Sequence, residues 1–568
     1  MKIDQDAKEK NRFSRREALS TAMKVALGVV ISGAAAGVTG YIVGSTMAPE
    51  RVKTETRVIT ETVTVTAGTT PTTRVEEIPI PAPDAPIETR GLPYYVPQYP
   101  TKQEKEAIMH ARRIMRERWP EKVTLRVLIS PDNIPDFEPF YTEWKNETGI
   151  SMETRTVPWP DWLKELMSIA VTKTDEYDIL MLCPLWVPDL AEAGVLYPIT
   201  NFVNKYKPEV VDPNSSNRIL DPLQPYMKYK DDYYFFFSDT DIPTLYIRKD
   251  LLNDPEEKRE FEKTYGYPLD KPKTLEEWRD QVKFFNRPEE GLYGMVMSWK
   301  DEALFDFLPR LVSQKVLPFD EEMRPNINRT EAVKAVEEMK EMLKYAEPGT
   351  LEYDFARSLE AFAQGRAYCT LLMTWAQAAL EDPAFSKVVG KVTYAPHPGR
   401  IINGELVSPQ VQYWGWGYAV SAYSKDKELA YLFCQWISGA AMNARVALTP
   451  GGWYDVCKVS NYDEKLFPEI RRKNGGIYAD EWMEIQKWQV EHSFPALVLR
   501  GGTEYTGVLL EGLSAALKGA LDSQAALNDV AKKWEEITER YGREGQIASW
   551  KSCLAMYSPP VKSWLGLP

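Results

Sequence analysis

In the globular part of the chain, apolar residues occur in two patterns, at helical spacing and in short continuous runs. A charged, amphipathic segment predicts a helix over residues 102–117. Short apolar runs then predict buried strands over 123–129, 151–157 and 177–182, with helical patterns between them over 137–147 and 162–171. This β-α-β-α-β order predicts an α/β fold whose mostly parallel sheet is covered by helices on both faces. Ligands bind such sheets at the carboxyl ends of the strands, where we expect the site.

The middle and C-terminal parts of the chain carry helical patterns. Thr274 and Glu277 have the spacing of a capping box at a helix start. Apolar residues recur at helical spacing over 330–345 and over 527–541, and Gly542 marks the end of the second helix. We interpret all three features as structural, and no repeat with a solenoid period is visible.

The N-terminal pattern predicts export. Residues 1–24 form a charged, cytoplasmic n-region, and the apolar residues 25–48 are long enough to span a membrane, with the basic flank inside. Ser14-Arg15-Arg16-Glu17-Ala18-Leu19 resembles a twin-arginine signal, although Ala18 stands where that signal usually has Phe. A plain signal anchor is the alternative. Because Pro49 follows the apolar run and no cysteine is available for a lipid, we predict an uncleaved transmembrane anchor.

A Thr/Pro-rich stretch over residues 49–101 separates the predicted anchor from the body. Its few apolar residues cannot build a core, so it predicts an extended stalk that holds the domain at the extracellular face. Sequons at Asn146, Asn214 and Asn328 are compatible with a glycoprotein, although a chain of this length contains several by chance.

Composition narrows the class of partner. The net charge is −13, which argues against nucleic acid because phosphate binding needs a basic surface. Seventeen tryptophans and thirty tyrosines exceed what a stacking site needs, and core packing accounts for most of them. Five scattered cysteines without a CxxC spacing, and three isolated histidines, make a zinc site improbable. One or two disulfides are compatible with export, and Cys434 and Cys457 are the nearest pair.

Motifs of catalysis are missing from the sequence. There is no GxSxG, HExxH, P-loop or GxGxxG pattern. Asp239-Thr240-Asp241 is an Asp-x-Asp that can hold a divalent metal, but no further ligands cluster near it in the sequence. We therefore expect neither a metal nor a cofactor. Paired carboxylates for glycoside hydrolysis stay open, because their spacing is spatial rather than sequential.

Seven segments resemble, in the same order, the family 1 extracellular solute-binding proteins, the maltose-binding-protein-like subunits of ABC importers. They are residues 138–154, 177–180, 189–199, 244–252, 271–278, 362–367 and 414–430, which include the Thr-Gly-Ile turn at 148–150, Phe362-Ala-Gln-Gly-Arg-Ala367 and Trp414-Gly-Trp-Gly-Tyr-Ala-Val420. The tryptophan of 271–278 is displaced from the family position. The resemblance extends over about residues 121–541.

The resemblance implies a two-lobed, type II periplasmic-binding fold with discontinuous lobes around a ligand cleft. Lobe 1 would comprise residues 121–240 and 392–450, and lobe 2 residues 246–391 and 451–541. The chain would cross between the lobes near 239–245, 393–398 and 448–455, where prolines and glycines suit a hinge. The tail over 542–568 has no assigned role.

Candidate ligand contacts follow from the same alignment. A sugar site needs aromatic faces for the C–H patches of the ring, and carboxylates or amides for its hydroxyl groups. By the resemblance, Asp241 is the acidic contact at the first crossing, and Trp375 corresponds to the stacking tryptophan of maltose-type relatives. Further candidates at strand ends and crossings are Trp186, Trp299, Trp414, Trp453, Asp239 and Gln377. Core packing is the alternative for each tryptophan, and a solvated hinge charge is the alternative for Asp241.

These observations predict a solute-binding subunit without catalytic activity. It would hold a sugar or oligosaccharide between its lobes and deliver it to the permease of an ABC importer, which works with a cytoplasmic ATPase. The same fold binding a short peptide or another polar solute is the first alternative. A cell-surface carbohydrate-active enzyme is the second.

Overall fold

The computed structural model describes residues 80–89, 94–118, 123–129, 134–158, 161–412, 414–449 and 454–568. The predicted n-region, the apolar segment over 25–48, the twin-arginine-like motif and residues 49–79 of the predicted stalk lie outside these residues, as does Trp453. Among the helices of the described residues, none combines the length and the apolar character needed to cross a membrane.

The strands of the described residues are short. They are β1 (Thr124–Ile129), β2 (Ser151–Thr156), β3 (Ile179–Leu182), β4 (Lys228–Tyr229), β5 (Asp232–Tyr233), β6 (Phe235–Phe237), β7 (Thr244–Arg248), β8 (Tyr293–Met297), β9 (Ala367–Leu372), β10 (Val392–Ala395), β11 (Arg400–Ile402), β12 (Glu405–Val407), β13 (Gln410–Gln412), β14 (Gly417–Val420) and β15 (Ser493–Pro495).

Helices cover the sheets and make up most of the C-terminal part. They are α1 (Lys102–Arg118), α2 (Ile134–Thr148), α3 (Trp162–Thr172), α4 (Val187–Glu192), α5 (Thr200–Tyr206), α6 (Lys249–Leu252), α7 (Pro255–Tyr265), α8 (Leu275–Phe284), α9 (Leu304–Val312), α10 (Thr330–Leu343), α11 (Phe355–Ala363), α12 (Ala376–Leu380), α13 (Lys427–Ile437), α14 (Ala440–Ala447), α15 (Asp480–Glu491), α16 (Gly502–Leu517), α17 (Ser523–Tyr541), α18 (Arg543–Ala555) and α19 (Pro559–Leu565).

Lobe 1 is built on a five-stranded sheet in the order β2-β1-β3-β14-β6. Strand β1 runs parallel to β2 and β3, and β14 runs antiparallel to β3 and β6. The predicted β-α-β-α-β start of the body is therefore confirmed. Strand β14 enters this sheet from far along the chain, which makes the lobe discontinuous.

Lobe 2 is built on a four-stranded sheet in the order β10-β7-β9-β8. Strand β7 is antiparallel to β10 and β9, whereas β8 is parallel to β9. The division drawn from the sequence places residues 392–395 in lobe 1, but β10 pairs with β7 in the lobe 2 sheet. The capping box at α8 is confirmed, since the Thr274 and Glu277 side chains each bond the backbone of the other.

Three segments cross between the lobes. The first joins β6 to β7 over residues 238–243, and the second joins β10 to β14 over 396–416. The third follows α14, and its described part resumes at residue 454. Strand β13 of the second crossing pairs in parallel with β15, which follows α15. The second crossing therefore contacts the segment after α15, and its Gln412 bonds residues 240 and 241 of the first crossing.

The described residues before α1 pack on lobe 1. Arg112 donates to the main-chain oxygens of Ala82 and Ala85 at 3.2 and 2.6 Å, and Val96 and Tyr99 are buried in the core. Residues 80–89 and 94–101 therefore belong to the folded body, although their composition predicts a stalk.

The C-terminal tail contacts both lobes and the crossings. In α18, Trp550 is buried 5.6 Å from the ring of Phe319 in lobe 2, and the Ser549 hydroxyl lies 3.4 Å from the Tyr229 hydroxyl in lobe 1. The Ser558 amide donates to the Ser493 oxygen in β15 at 2.9 Å. The tail is thus an integral part of the body. All five cysteines are buried free thiols, so the Cys434–Cys457 disulfide is not formed.

Glu428 in α13 bonds side chains of α1 and α5, and these bonds make the stability of the protein depend on pH. It accepts hydrogen bonds from Arg118 at 2.6 Å, from the Tyr206 hydroxyl at 2.7 Å and from Lys205. Burial opposes its ionisation, but these bonds outweigh burial and lower the pKa of Glu428 from 4.5 to about 2. Because the pKa is lowered in the folded state, the stabilisation is complete above about pH 5 and is lost as the pH falls towards 2.

Glu428→Gln is therefore expected to lower the free energy of unfolding by about 1 to 2 kcal/mol at pH 7. This value is smaller than the pKa shift alone implies, because Lys205 and Arg118 are half-exposed and solvent weakens their interaction with Glu428. The difference from the wild type should shrink as the pH is lowered from 5 to 2, as measured by urea unfolding. Glu260→Gln, which breaks an exposed pair with Lys263, should change stability little at any pH. If Glu428→Gln lowered the free energy of unfolding equally at pH 7 and pH 2, the ionised Glu428 carboxylate would not be the source of the stabilisation.

Candidate functional site

Three aspartates meet where the first and third crossings come together. Asp239 and Asp241 lie on the first crossing and Asp455 on the third, and one carboxylate oxygen of each lies within 4.8 Å of one oxygen of the other two. All three side chains are buried. The Asp455 amide donates to Asp239 Oδ1 at 2.6 Å. The backbone of the third crossing therefore holds the Asp239 carboxylate of the first.

Neutral side chains hold this cluster in place. The Thr374 hydroxyl, just beyond β9, donates to the Asp455 carboxylate, and Trp482 Nε1 donates to the main-chain oxygen of Thr374 at 3.1 Å. From the second crossing, the Gln412 side chain donates to the main-chain oxygen of Asp241 at 3.1 Å and accepts from the Thr240 hydroxyl at 2.8 Å. All three crossings and the end of β9 are thus joined by hydrogen bonds.

Burial and mutual repulsion make these carboxyl groups hard to ionise. Burial raises the pKa of Asp241 to about 7. Burial, followed by repulsion from Asp241 and Asp455, raises the pKa of Asp239 well above its usual range, and burial and Asp241 do the same for Asp455. Glu302, which precedes α9, has a pKa raised to about 8 by burial, and repulsion from Asp301 and Asp241 adds to it. Strongly perturbed carboxyl groups of this kind are typical of functional sites.

Tryptophans from lobe 1 and the second crossing gather beside this cluster. Trp162 stacks on Trp416 at 5.2 Å, and Trp186 lies 6.0 Å from Trp414 and 6.4 Å from Trp416. Trp186 is buried, whereas Trp414 and Trp416 are only half-buried. Trp414 forms a β-bridge with Asp241, which places this aromatic group directly against the first crossing.

Gly415 permits this close approach. Its φ is 113°, and a Cβ atom at this position would lie 2.3 Å from the main-chain oxygen of Asp239. Only glycine suits such a backbone conformation and such a short distance. The Trp-Gly-Trp sequence therefore brings two indoles to the first crossing.

Lobe 2 supplies a second aromatic group at the ends of its strands. Trp375 follows β9, is half-buried, and packs on Phe355 with ring centroids 4.6 Å apart. Trp299 follows β8 and is buried, and its indole N–H has no hydrogen-bond partner among the described residues. Since β8 and β9 are parallel, both tryptophans lie at the carboxyl edge of the sheet.

The candidates differ in what they can offer a ligand. Trp375 and Trp414 keep exposed ring surface, whereas Trp186 and Trp299 are largely enclosed. Gln377 is buried, donates to the Ile477 oxygen at 3.1 Å and accepts from Arg472 at 2.8 Å, so it is engaged within the protein. The role of each residue in ligand binding stays a prediction.

Sequence reasoning missed three residues of this site. Asp455 completes the carboxylate cluster, Glu302 adds a fourth acidic group near Asp241, and Thr374 anchors Asp455. Each comes from a different part of the chain. Only Thr374 could have been found from the sequence, because it stands beside the candidate Trp375 at the end of a predicted strand. Exposed indole faces next to buried carboxylates suit a neutral ligand with hydroxyl groups and C–H faces.

Comparisons with known proteins identify the family and the fold of the chain. The family model for bacterial extracellular solute-binding proteins matches residues 132–444, just over half of the chain. The mannitol-binding protein of Pseudomonas aeruginosa is 24% identical over 218 residues, which are 37% of this chain and 46% of that protein. The match therefore spans about half the length of that relative.

Solved structures share the fold. A solute-binding protein of an ABC transporter from Agrobacterium radiobacter, in complex with ribitol, is similar with a TM-score of 0.57 and 21% identity, over 73% of this chain and 98% of that one. The sugar-binding protein MalE from Xanthomonas citri is similar with a TM-score of 0.58 and 16% identity, over 74% and 98%. The predicted two-lobed, type II periplasmic-binding fold is confirmed.

Proposed function

The chain belongs to the family of bacterial extracellular solute-binding proteins, and from this we propose that it binds a sugar or a polyol between its two lobes and delivers it to an ABC importer. The observation that carries the proposal is the meeting of half-exposed indoles and buried carboxylates at the crossings. Relatives named for mannitol and ribitol support a polyhydroxy ligand.

The chemistry of the cleft favours a sugar over a peptide. A sugar ring presents a C–H face to an indole and its hydroxyl groups to carboxylates. Trp375 from lobe 2 and Trp414 from the second crossing offer ring faces, and Asp241 and Glu302 offer acceptors. A short peptide or another polar solute on the same residues is the alternative.

The transport role defines the further partners and the location. Ligand binding favours the closed arrangement of the lobes, which docks on the permease subunits that work with a cytoplasmic ATPase. Residues 25–48 anchor the protein at the extracellular face, behind a twin-arginine-like signal, and the sequons carry glycans. Extraction of the protein from cell membranes only with detergent supports the anchor, whereas free release of a shortened chain overturns it.

We further propose that the protein does not hydrolyse its ligand. The relatives that it matches are binding proteins. Chromatography of a maltose and oligosaccharide mixture after long incubation should show no new products. Time-dependent breakdown would instead identify a carbohydrate-active enzyme.

Asp241→Asn tests the proposed acceptor. We expect sugar binding to weaken about tenfold, or roughly 1.4 kcal/mol, because the variant replaces one carboxyl oxygen by an amide nitrogen that cannot accept a hydrogen bond. Isothermal titration calorimetry at fixed buffer composition measures the change. Asp231→Asn, in the exposed turn between β4 and β5, serves as the matched control and should bind like the wild type. Unchanged affinity in Asp241→Asn would remove Asp241 from the ligand site.

A further inference from the structure

The carboxylate cluster at the crossings has the spacing of a metal site. Asp239, Asp241 and Asp455 each place one oxygen within 4.8 Å of the others, and no side chain of the three is more than 4% exposed. Oxygens that share a calcium ion at about 2.4 Å are at most about 4.8 Å apart, and the three carboxylates lie within that limit.

Each of the three aspartates also has a buried carboxylate oxygen without a hydrogen-bond donor among the described residues. Asp239 Oδ2, Asp241 Oδ1 and Asp455 Oδ1 are buried, and each has no hydrogen-bond donor among the described residues. The other oxygens of Asp239 and Asp455 accept from the Asp455 amide and the Thr374 hydroxyl. Because a buried polar atom without a partner is costly, one such atom on each of the three clustered aspartates indicates a ligand that the cluster shares.

The negative charge of the cluster likewise points to a bound cation. Among the described residues, no lysine, arginine or histidine forms an ion pair with any of the three aspartates. Lys458, three positions beyond Asp455, directs its ammonium to the Phe237 oxygen at 3.1 Å and the Cys457 sulfur at 3.0 Å. Buried carboxylates at this separation need a counter-charge to remain ionised together.

We infer that Asp239, Asp241 and Asp455 bind one hard divalent cation, with calcium as the best fit, at the junction of the first and third crossings. Oxygen-only ligands favour calcium or magnesium over zinc and copper. Calcium tolerates irregular coordination at 2.3–2.6 Å, whereas magnesium demands a near-ideal octahedron at about 2.1 Å. The cation offsets two of the three negative charges and fastens the first and third crossings to each other.

The test measures the metal directly and contains no sugar, so its outcome is independent of the proposed function. The folded protein is stripped with EGTA, dialysed, and titrated with calcium or magnesium chloride in a calorimeter. Bound metal is counted by mass spectrometry, and Tm is measured with calcium and with EGTA. Asp455→Asn replaces one carboxylate ligand by a neutral amide of the same size. Glu484→Gln, exposed on α15, is the matched control.

The inference predicts one calcium ion per wild-type chain and a Tm about 5 °C higher in calcium than in EGTA. Asp455→Asn should bind calcium at least tenfold more weakly, lose the calcium-dependent rise in Tm, and have a higher Tm than the wild type in EGTA, because one repelling charge is gone. Glu484→Gln should behave as the wild type does. Magnesium bound in place of calcium, and lost in Asp455→Asn, supports the site with the smaller ion. Wild-type protein that binds neither ion, or an Asp455→Asn variant with unchanged affinity, overturns the inference and leaves protons as the neutralising charge.

Discussion

Replacement of Trp375 by alanine is expected to weaken sugar binding about 30-fold, which corresponds to roughly 2 kcal/mol. The half-buried indole rests on Phe355 at 4.6 Å, so its orientation is fixed before a ligand arrives. Truncation removes both the stacking contribution, about 1 kcal/mol, and the apolar area that the ligand would cover. Calorimetric titration with the sugar that the wild type binds measures the loss.

Two variants control this prediction. Trp375→Phe keeps an aromatic face and should recover most of the affinity. Trp564→Ala removes another half-buried tryptophan, which contacts Glu405 from the tail, and should leave binding unchanged. A dissociation constant for Trp375→Ala within twofold of the wild type would place Trp375 in the core rather than in the ligand site.

Arg445→Met is expected to lower the free energy of unfolding by about 3 to 5 kcal/mol. Arg445 in α14 donates to both oxygens of Glu143 in α2, at 3.1 and 2.7 Å, and the two side chains are 0% and 2% exposed. The variant leaves the Glu143 carboxylate buried without its counter-charge, which is far more costly than losing a surface pair. Urea unfolding at pH 7 measures the difference.

A second variant separates the missing charge from a simple loss of packing. Glu143→Leu together with Arg445→Met removes both charges and should recover much of the lost stability. Lys263→Met, which breaks an exposed pair with Glu260, should cost less than about 1 kcal/mol. If Arg445→Met lowered the free energy of unfolding no more than Lys263→Met does, the Arg445–Glu143 pair would not stabilise the contact between the two distant parts of lobe 1.

Local elements of the fold could be predicted because their signals are local. The helix over 102–117 and the strands over 123–129 and 151–157 follow from apolar periodicity, and they match α1, β1 and β2 within one or two residues. A capping box depends on only four consecutive residues, and the one at Thr274 formed as predicted. Such features need no knowledge of the rest of the chain.

The stalk prediction was wrong over residues 80–89 and 94–101 for a physical reason. Composition measures apolar side chains, but Arg112 binds this segment through its main-chain oxygens. Among the described residues of this segment, only Val96 and Tyr99 are deeply buried apolar side chains, too few to give a periodic pattern. A segment held by its backbone therefore resembles a spacer in sequence.

The site was only partly predictable because its members are brought together by the fold. Asp241 and Trp375 could be named from the order of family segments. Asp455 lies more than two hundred residues beyond Asp241, so an isolated Asp-x-Asp showed no further ligand nearby in the sequence. Glu302 likewise approaches Asp241 only once β8 and the first crossing are in place.

The central claim is that the cleft binds a sugar or polyol without altering it. Calorimetric titration of the purified protein with mannitol, ribitol, maltose, longer oligosaccharides and short peptides tests it most directly. The account predicts saturable binding of one molecule of at least one of these carbohydrates per chain, recovered intact, with weaker binding in Trp375→Ala. Binding of peptides with no response to any carbohydrate would contradict it.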